Sequence, residues 1–99
     1  MDYTIKFHPE AEKEYLEAYQ WYEEHQSGLG KRFELAVEKQ IKLITDYPEH
    51  YAEKKYRCRE SKTETFPYLI VYRFYPAKKF IWIISVFHTS RKPSKKNRK

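Results

Sequence analysis

Two apolar runs stand almost back to back near the end of the chain, and they constrain its fold more than any other feature. Tyr68-Leu69-Ile70-Val71-Tyr72-Arg73-Phe74-Tyr75 and Phe80-Ile81-Trp82-Ile83-Ile84-Ser85-Val86-Phe87-His88 are rich in β-branched and aromatic residues, with only Pro76-Ala77-Lys78-Lys79 between them. Such residues favour strands, and the intervening segment reads as a turn. The second run is apolar at odd and even positions alike, as in a central strand covered on both sides. The rest of the chain must supply that cover. With 99 residues in all, it can do so as one small domain.

The first half supplies helices. Tyr3, Ile5 and Phe7 alternate with polar residues and predict a short opening strand. After it, Pro9 suits a first helical turn, and Glu10, Glu12 and Glu14 suit the positive end of a helix dipole. Ala11, Tyr15, Ala18, Tyr19 and Tyr22 recur at spacings of three and four, which predicts a helix to about His25, with Trp21 beside its apolar stripe. Gln26-Ser27-Gly28-Leu29-Gly30 holds both glycines and breaks the pattern. Leu29, Phe33, Ala36, Val37, Ile41 and Ile44 then mark a second helix that ends before Pro48. Beyond a loop at about 48–53, Lys54 to Glu60 alternates, with Tyr56 and Cys58 on one side and Lys55, Arg57 and Arg59 on the other. Ser61 to Thr65 reads as a polar turn.

The expected order is β-α-α-β-β-β: an α+β fold with a helical hairpin packed on one face of a small, mainly antiparallel sheet. Residues 1–90 form the domain and 91–99 a basic tail, predicted to be flexible because it has no apolar anchor. Ile84 is expected in the core against the helices, on one face with Phe80, Trp82 and Val86.

Several function classes fall away. No stretch approaches the roughly 18 apolar residues that span a bilayer. The opening Met1-Asp2-Tyr3-Thr4-Ile5-Lys6 is no secretory signal, so a cytoplasmic location is expected. Cys58 stands alone, and no Cys/His spacing suggests a metal; no metal and no cofactor are expected. Phosphate loops, nucleophile elbows and zinc-binding His-Glu-x-x-His helices are missing. Glu10, Glu14, Glu17, Glu34 and Glu38 read as solvated helix faces.

Charge points to a partner. Residues 1–50 carry 6 Lys/Arg against 11 Asp/Glu, whereas residues 51–99 carry 14 against 3. A basic surface built by the second half suits an acidic protein segment or nucleic acid. The candidate site residues are Lys55, Arg57, Arg59, Tyr68, Arg73, His88, Arg91 and Lys92. If the strands are neighbours, the arginines and His88 converge on the sheet face away from the helices. Arginines clamp phosphates, a histidine exchanges protons near neutral pH, and tyrosines stack on bases. Each also has a plainer structural use, as an ion-pair partner or a strand-end residue.

Three segments carry a family likeness: Tyr3-Thr4-Ile5-Lys6-Phe7-His8-Pro9-Glu10-Ala11-Glu12, Phe66-Pro67-Tyr68-Leu69-Ile70-Val71-Tyr72-Arg73, and Ile84-Ser85-Val86-Phe87-His88-Thr89-Ser90-Arg91-Lys92-Pro93. Together they resemble the RelE/ParE toxin superfamily, small basic toxins of type II toxin–antitoxin modules, also known as plasmid stabilisation proteins. The resemblance implies the same β-α-α-β-β-β order. It also implies a cognate antitoxin as partner, with an acidic, partly disordered segment, and a toxin–antitoxin hetero-oligomer.

Two activities are known in the superfamily. RelE-like members are ribosome-dependent messenger-RNA endoribonucleases, and ParE-like members act on DNA gyrase. On the ribonuclease reading, His88, Arg73 and Arg57 would do the chemistry. One departure weighs against it: such members often carry an arginine just before the Ile-Val-Tyr stretch, where this chain has Leu69. Phe66-Pro67-Tyr68-Leu69 resembles the ParE-like side, which is the reading preferred from sequence. An inactive domain that only binds its antitoxin is the third possibility.

Overall fold

The structure, a computed structural model, describes residues 3–91. Strand β1 (Thr4–Phe7) leads into helices α1 (Pro9–His25) and α2 (Leu29–Asp46), followed by β2 (Arg59–Lys62), β3 (Tyr68–Tyr75) and β4 (Phe80–His88). The strands form one sheet in the order β1-β4-β3-β2, with β1 parallel to β4 and the other pairs antiparallel. This is the expected α+β fold with its helical hairpin, built on a mixed sheet. The expectation for the tail falls, beyond Arg91, outside the described residues.

Local chemistry explains the hairpin. The His8 ring accepts the Glu10 N–H at 3.0 Å as a cap on α1, and Pro9 opens the first turn. At the other end, the Glu23 carboxylate accepts the N–H groups of Gly28 and Gly30, each at 3.0 Å. It thereby satisfies amides at the start of α2 that have no partner within the helix. Gly28 holds φ at +88°, which favours glycine, and a Cβ on Gly30 would meet Glu23 Oε1 and the Tyr19 carbonyl oxygen, both at 2.9 Å.

Helix-side packing follows the alternation of the strands. Ile70, Tyr72 and Phe74 of β3 join Ile81, Ile83 and Val86 of β4 in a buried cluster with Ala11, Ala18, Phe33, Val37, Ile44 and Phe66. On β4 that series steps from 83 to 86. The register explains it: Tyr72 pairs with Ile83 but Val71 pairs with Ser85, so Ile84 is an extra residue in β4. Such a bulge reverses the facing of everything after it. Ile84 is fully buried, yet it packs on the opposite face with Val71, Cys58 and Phe87. Ile84 was expected against the helices, but Ile81 and Ile83 take that side, so Phe80, Trp82 and Ile84 face away; Val86, expected to share their face, is turned to the helices by the bulge.

The stretch before β2 also differs from the alternating strand expected. Lys55–Arg57 is a 3-10 turn in which Tyr56 and Arg57 both have left-handed backbone, at φ of 57° and 61°. The strand itself begins at Arg59 and includes Ser61 and Lys62. Gln40 of α2 anchors it, accepting the Ser61 hydroxyl at 2.7 Å in a buried bond.

Candidate functional site

The candidate residues do not share one surface. Arg73 lies on the sheet face away from the helices, opposite Trp82 in the β3–β4 register, with its guanidinium 5.9 Å from the indole centroid. Only 8 % of it is exposed, and its Nε–H donates to the Tyr56 carbonyl at 2.9 Å. A buried arginine thus holds the left-handed turn, a conformation that persists only where its surroundings impose it. Beside it, burial pushes the Cys58 thiol up in pKa against the opposing pull of Arg73, so this sulfur is no ready nucleophile.

The turn offers its neighbours to solvent. Arg57 is exposed and reaches Glu53 at 3.7 Å, and the Lys55 ammonium stands 5.1 Å from the Tyr56 ring centroid. Lys54, in the same segment, pairs with Glu60 at 3.2 Å. Arg59 reaches the same Glu53 oxygen, also at 3.7 Å, and turns back over the loop after α2. Its register partner is Tyr72, which faces the helices, and its guanidinium donates to the Tyr51 and Glu49 carbonyls of the loop after α2. It ties that loop down, while the Tyr72 hydroxyl donates to the Pro48 carbonyl at 2.7 Å. Arg57 and Arg59 thus meet at the Glu53 carboxylate, each 3.7 Å from Oε2, whereas Arg73 is turned to the Tyr56 carbonyl.

His88 is on the helix side. It pairs with Tyr68 across the β3–β4 ladder, and the two rings meet edge to face with centroids 5.0 Å apart. Tyr68 in turn packs against Tyr22 and Phe33 of the helices. Ser90 places its N–H at 3.1 Å and its hydroxyl at 2.7 Å from His88 Nδ1. A ring nitrogen that accepts the N–H carries no proton, so the neutral ring holds its proton on Nε2. Burial raises the Tyr68 pKa, with nearby Arg91 pulling the other way.

Around this pair opens a cleft of about 630 Å³, lined by Glu14, Glu17, Trp21, Tyr68, His88 and Arg91 among others. Trp21 is 54 % exposed and stacks on His25, whose ring centroid is 3.7 Å away. Of the sequence candidates, the structure brings together Tyr68, His88 and Arg91. It separates them from Arg73, which lies across the sheet, and from Lys55 and Arg57, which stand on the turn before β2, contrary to the expected convergence. Lys92 lies outside the described residues.

Glu14, Glu17 and Trp21 were not singled out for this cleft by sequence. Glu14 carried a signal: it falls between Ala11 and Ala18 on the buried stripe, where a solvated carboxylate has no reason to be. It is half-buried and bonded to β4, which corrects its reading as part of a solvated face. Among the described residues, no three His, Cys, Asp or Glu side chains gather as a metal site requires. Nor is any helix there long and apolar enough to cross a membrane.

Comparison with solved structures finds the same fold in several chains, among them the following. A chain of the intact E. coli RelBE toxin–antitoxin complex aligns with a TM-score of 0.64 at 22% identity, over 91% of this chain and 100% of that one. The isolated E. coli RelE toxin gives 0.65 at 19%, over 94% and 90%. A chain of the chromosomal ParDE system from P. aeruginosa gives 0.62 at 15%, over 89% and 97%. Among curated proteins none matches the chain significantly. Residues 5–93 match the family model described as the ParE toxin of the type II toxin–antitoxin system parDE. With nearly its whole length inside that match, the chain belongs to the ParE toxin family of type II toxin–antitoxin systems.

Proposed function

We propose that this protein is the toxin of a type II pair, held in check by a cognate antitoxin, and that it acts by binding DNA gyrase, as ParE-like toxins do, rather than by cutting messenger RNA. The observation that carries this reading is the separation of His88 from Arg73 and Arg57. Metal-free cleavage of RNA needs a proton-transfer group within hydrogen-bond reach of the reacting oxygen and cations on the same phosphate. Here the histidine faces α1, Arg73 is spent on the Tyr56 carbonyl, and Arg57 stands at the turn. Leu69, where a cleaving site would place an arginine, supports the same conclusion.

The antitoxin reading rests on charge. Lys55 and Arg57 on the left-handed turn form an exposed basic surface, suited to an acidic, partly disordered segment that folds as it binds. Arg59 and Arg73 hold the fold, so the informative antitoxin variant is Lys55→Glu with Arg57→Glu.

The competing reading, a RelE-like ribonuclease, draws on His88, Tyr68 and Arg91 sharing one cleft. Expression of the chain alone, with and without His88→Ala, separates the two. On the gyrase reading, growth arrest comes with DNA damage and intact transcripts. On the ribonuclease reading, transcripts are cut in the wild type and spared in the variant, since losing a general acid–base costs about 10²–10⁴-fold in rate. A wild-type protein that arrests nothing would mark an inactive, antitoxin-binding domain.

A further inference from the structure

The extra residue in β4 is held from outside the sheet. Glu14 Oε1 accepts the Ser85 hydroxyl at 2.9 Å and the Val86 N–H at 3.0 Å, directly after Ile84. Ser85 is fully buried in a strand that is otherwise apolar up to its final histidine, and its hydroxyl is directed to that carboxylate. A buried polar group needs such a partner. A half-buried carboxylate on an apolar helix stripe and a buried serine on an apolar strand therefore account for each other.

The consequence lies four residues downstream of Ile84. Without the extra residue, positions 82, 84, 86 and 88 would face the same way, and His88 would stand on the Trp82 and Arg73 face. With it, His88 turns to α1, against Tyr68 and beside Arg91. The placement of the histidine is thus set by a bulge, and the bulge is bonded to α1 by one carboxylate.

We propose that Glu14 is a positioning residue: by pinning the bulge it fixes His88 in the cleft of Tyr68 and Arg91, keeps it off the Trp82 and Arg73 face, and shapes that cleft for target binding. The last part rests on the reading of the chain as a binding toxin. The carboxylate also lines that cleft, and the role proposed for it is orientation.

The test compares full-length wild type, Glu14→Ala, Glu14→Gln and Ser85→Ala by NMR and by growth arrest. In Glu14→Ala, Val86 amide exchange should speed up by about ten- to a hundredfold, the effect of losing a bond to a charged acceptor. The ring contact between His88 and Tyr68 should weaken or vanish, and toxicity should fall. Glu14→Gln keeps an acceptor oxygen and should restore both the ring contact and much of the toxicity. Ser85→Ala removes the hydroxyl bond alone and should give a smaller acceleration at Val86. An unchanged His88–Tyr68 contact in Glu14→Ala overturns the proposal, as does a displaced histidine with undiminished toxicity. If Glu14→Ala fails to fold, unaltered Val86 exchange in both other variants overturns it. Transcript cutting by the wild type would instead overturn the gyrase reading, and the exchange and ring-contact results would stand apart from it.

Discussion

The two faces of the sheet use similar residues in opposite ways. On the helix side, Phe33 is ringed by Tyr15, Tyr22, Phe66 and Tyr68, and the hairpin covers β3 and β4 with aromatic and aliphatic side chains. On the other side, four buried residues, Cys58, Val71, Ile84 and Phe87, are partly covered by Leu69 and Trp82 and roofed by the turn that Arg73 holds. The first face carries stability through area. The second is small enough that a single buried guanidinium shapes it, and a face held by hydrogen bonds can present a basic turn that an oily core could not.

The largest effect that would sharpen this contrast is at Phe33. Phe33→Ala should cost about 3–5 kcal/mol in urea unfolding, since it empties the middle of the large cluster. Ile84→Ala on the other face should cost less, about 2–3 kcal/mol, because Leu69 and Trp82 at its edge can relax into the space. A loss there below about half a kcal/mol is the scale of a surface change and would break the claim that this face has a core.

Arg73→Met keeps the length of the side chain over Trp82 but removes the donor to Tyr56. We expect about 1–3 kcal/mol of destabilisation from the carbonyl left without it. Limited proteolysis should then cut at residues 54–58 well before the helices. Equal protease resistance would show that the turn keeps its shape without the arginine.

The smallest effect is confined to alkaline pH. Burial, followed by Glu34 and Glu38, pushes the Tyr15 hydroxyl up to about 12. A raised phenol pKa means that the folded chain holds the proton more tightly than the unfolded one. Its contribution is therefore complete below about pH 10 and lost as pH rises from about 10 to about 12. Ultraviolet titration should show several phenols ionising late, and one fewer of them in Tyr15→Phe. Tyr72, buried to a greater depth, is also raised, and desolvation leads the causes.

Most of the architecture was legible from periodicity. The stripes of α1 and α2, the stop at Tyr47-Pro48 and the two apolar strands follow from spacing and turn residues, and the observed elements agree. The faces of the sheet were not legible in the same way. An alternating pattern defines two faces only while the count is unbroken, and the bulge at Ile84 has no glycine or proline to mark it. β4 is apolar on both sides, so an added residue leaves its pattern unchanged. The turn at Tyr56 and Arg57 was hidden for a related reason: left-handed backbone without glycine is imposed by a distant side chain, Arg73. Both surprises bear on the site, since one turns His88 and the other presents Arg57 and Lys55.

On the proposed reading, His88 stands apart from Arg73 and Arg57, and the chain binds its target without cutting RNA. The direct measurement puts purified wild-type protein, free of antitoxin, side by side with DNA gyrase in a supercoiling assay and with translating ribosomes in a transcript-cleavage assay. Inhibited supercoiling and uncut messenger RNA are expected. Transcripts cut in the ribosome, with supercoiling unaffected, would contradict that reading.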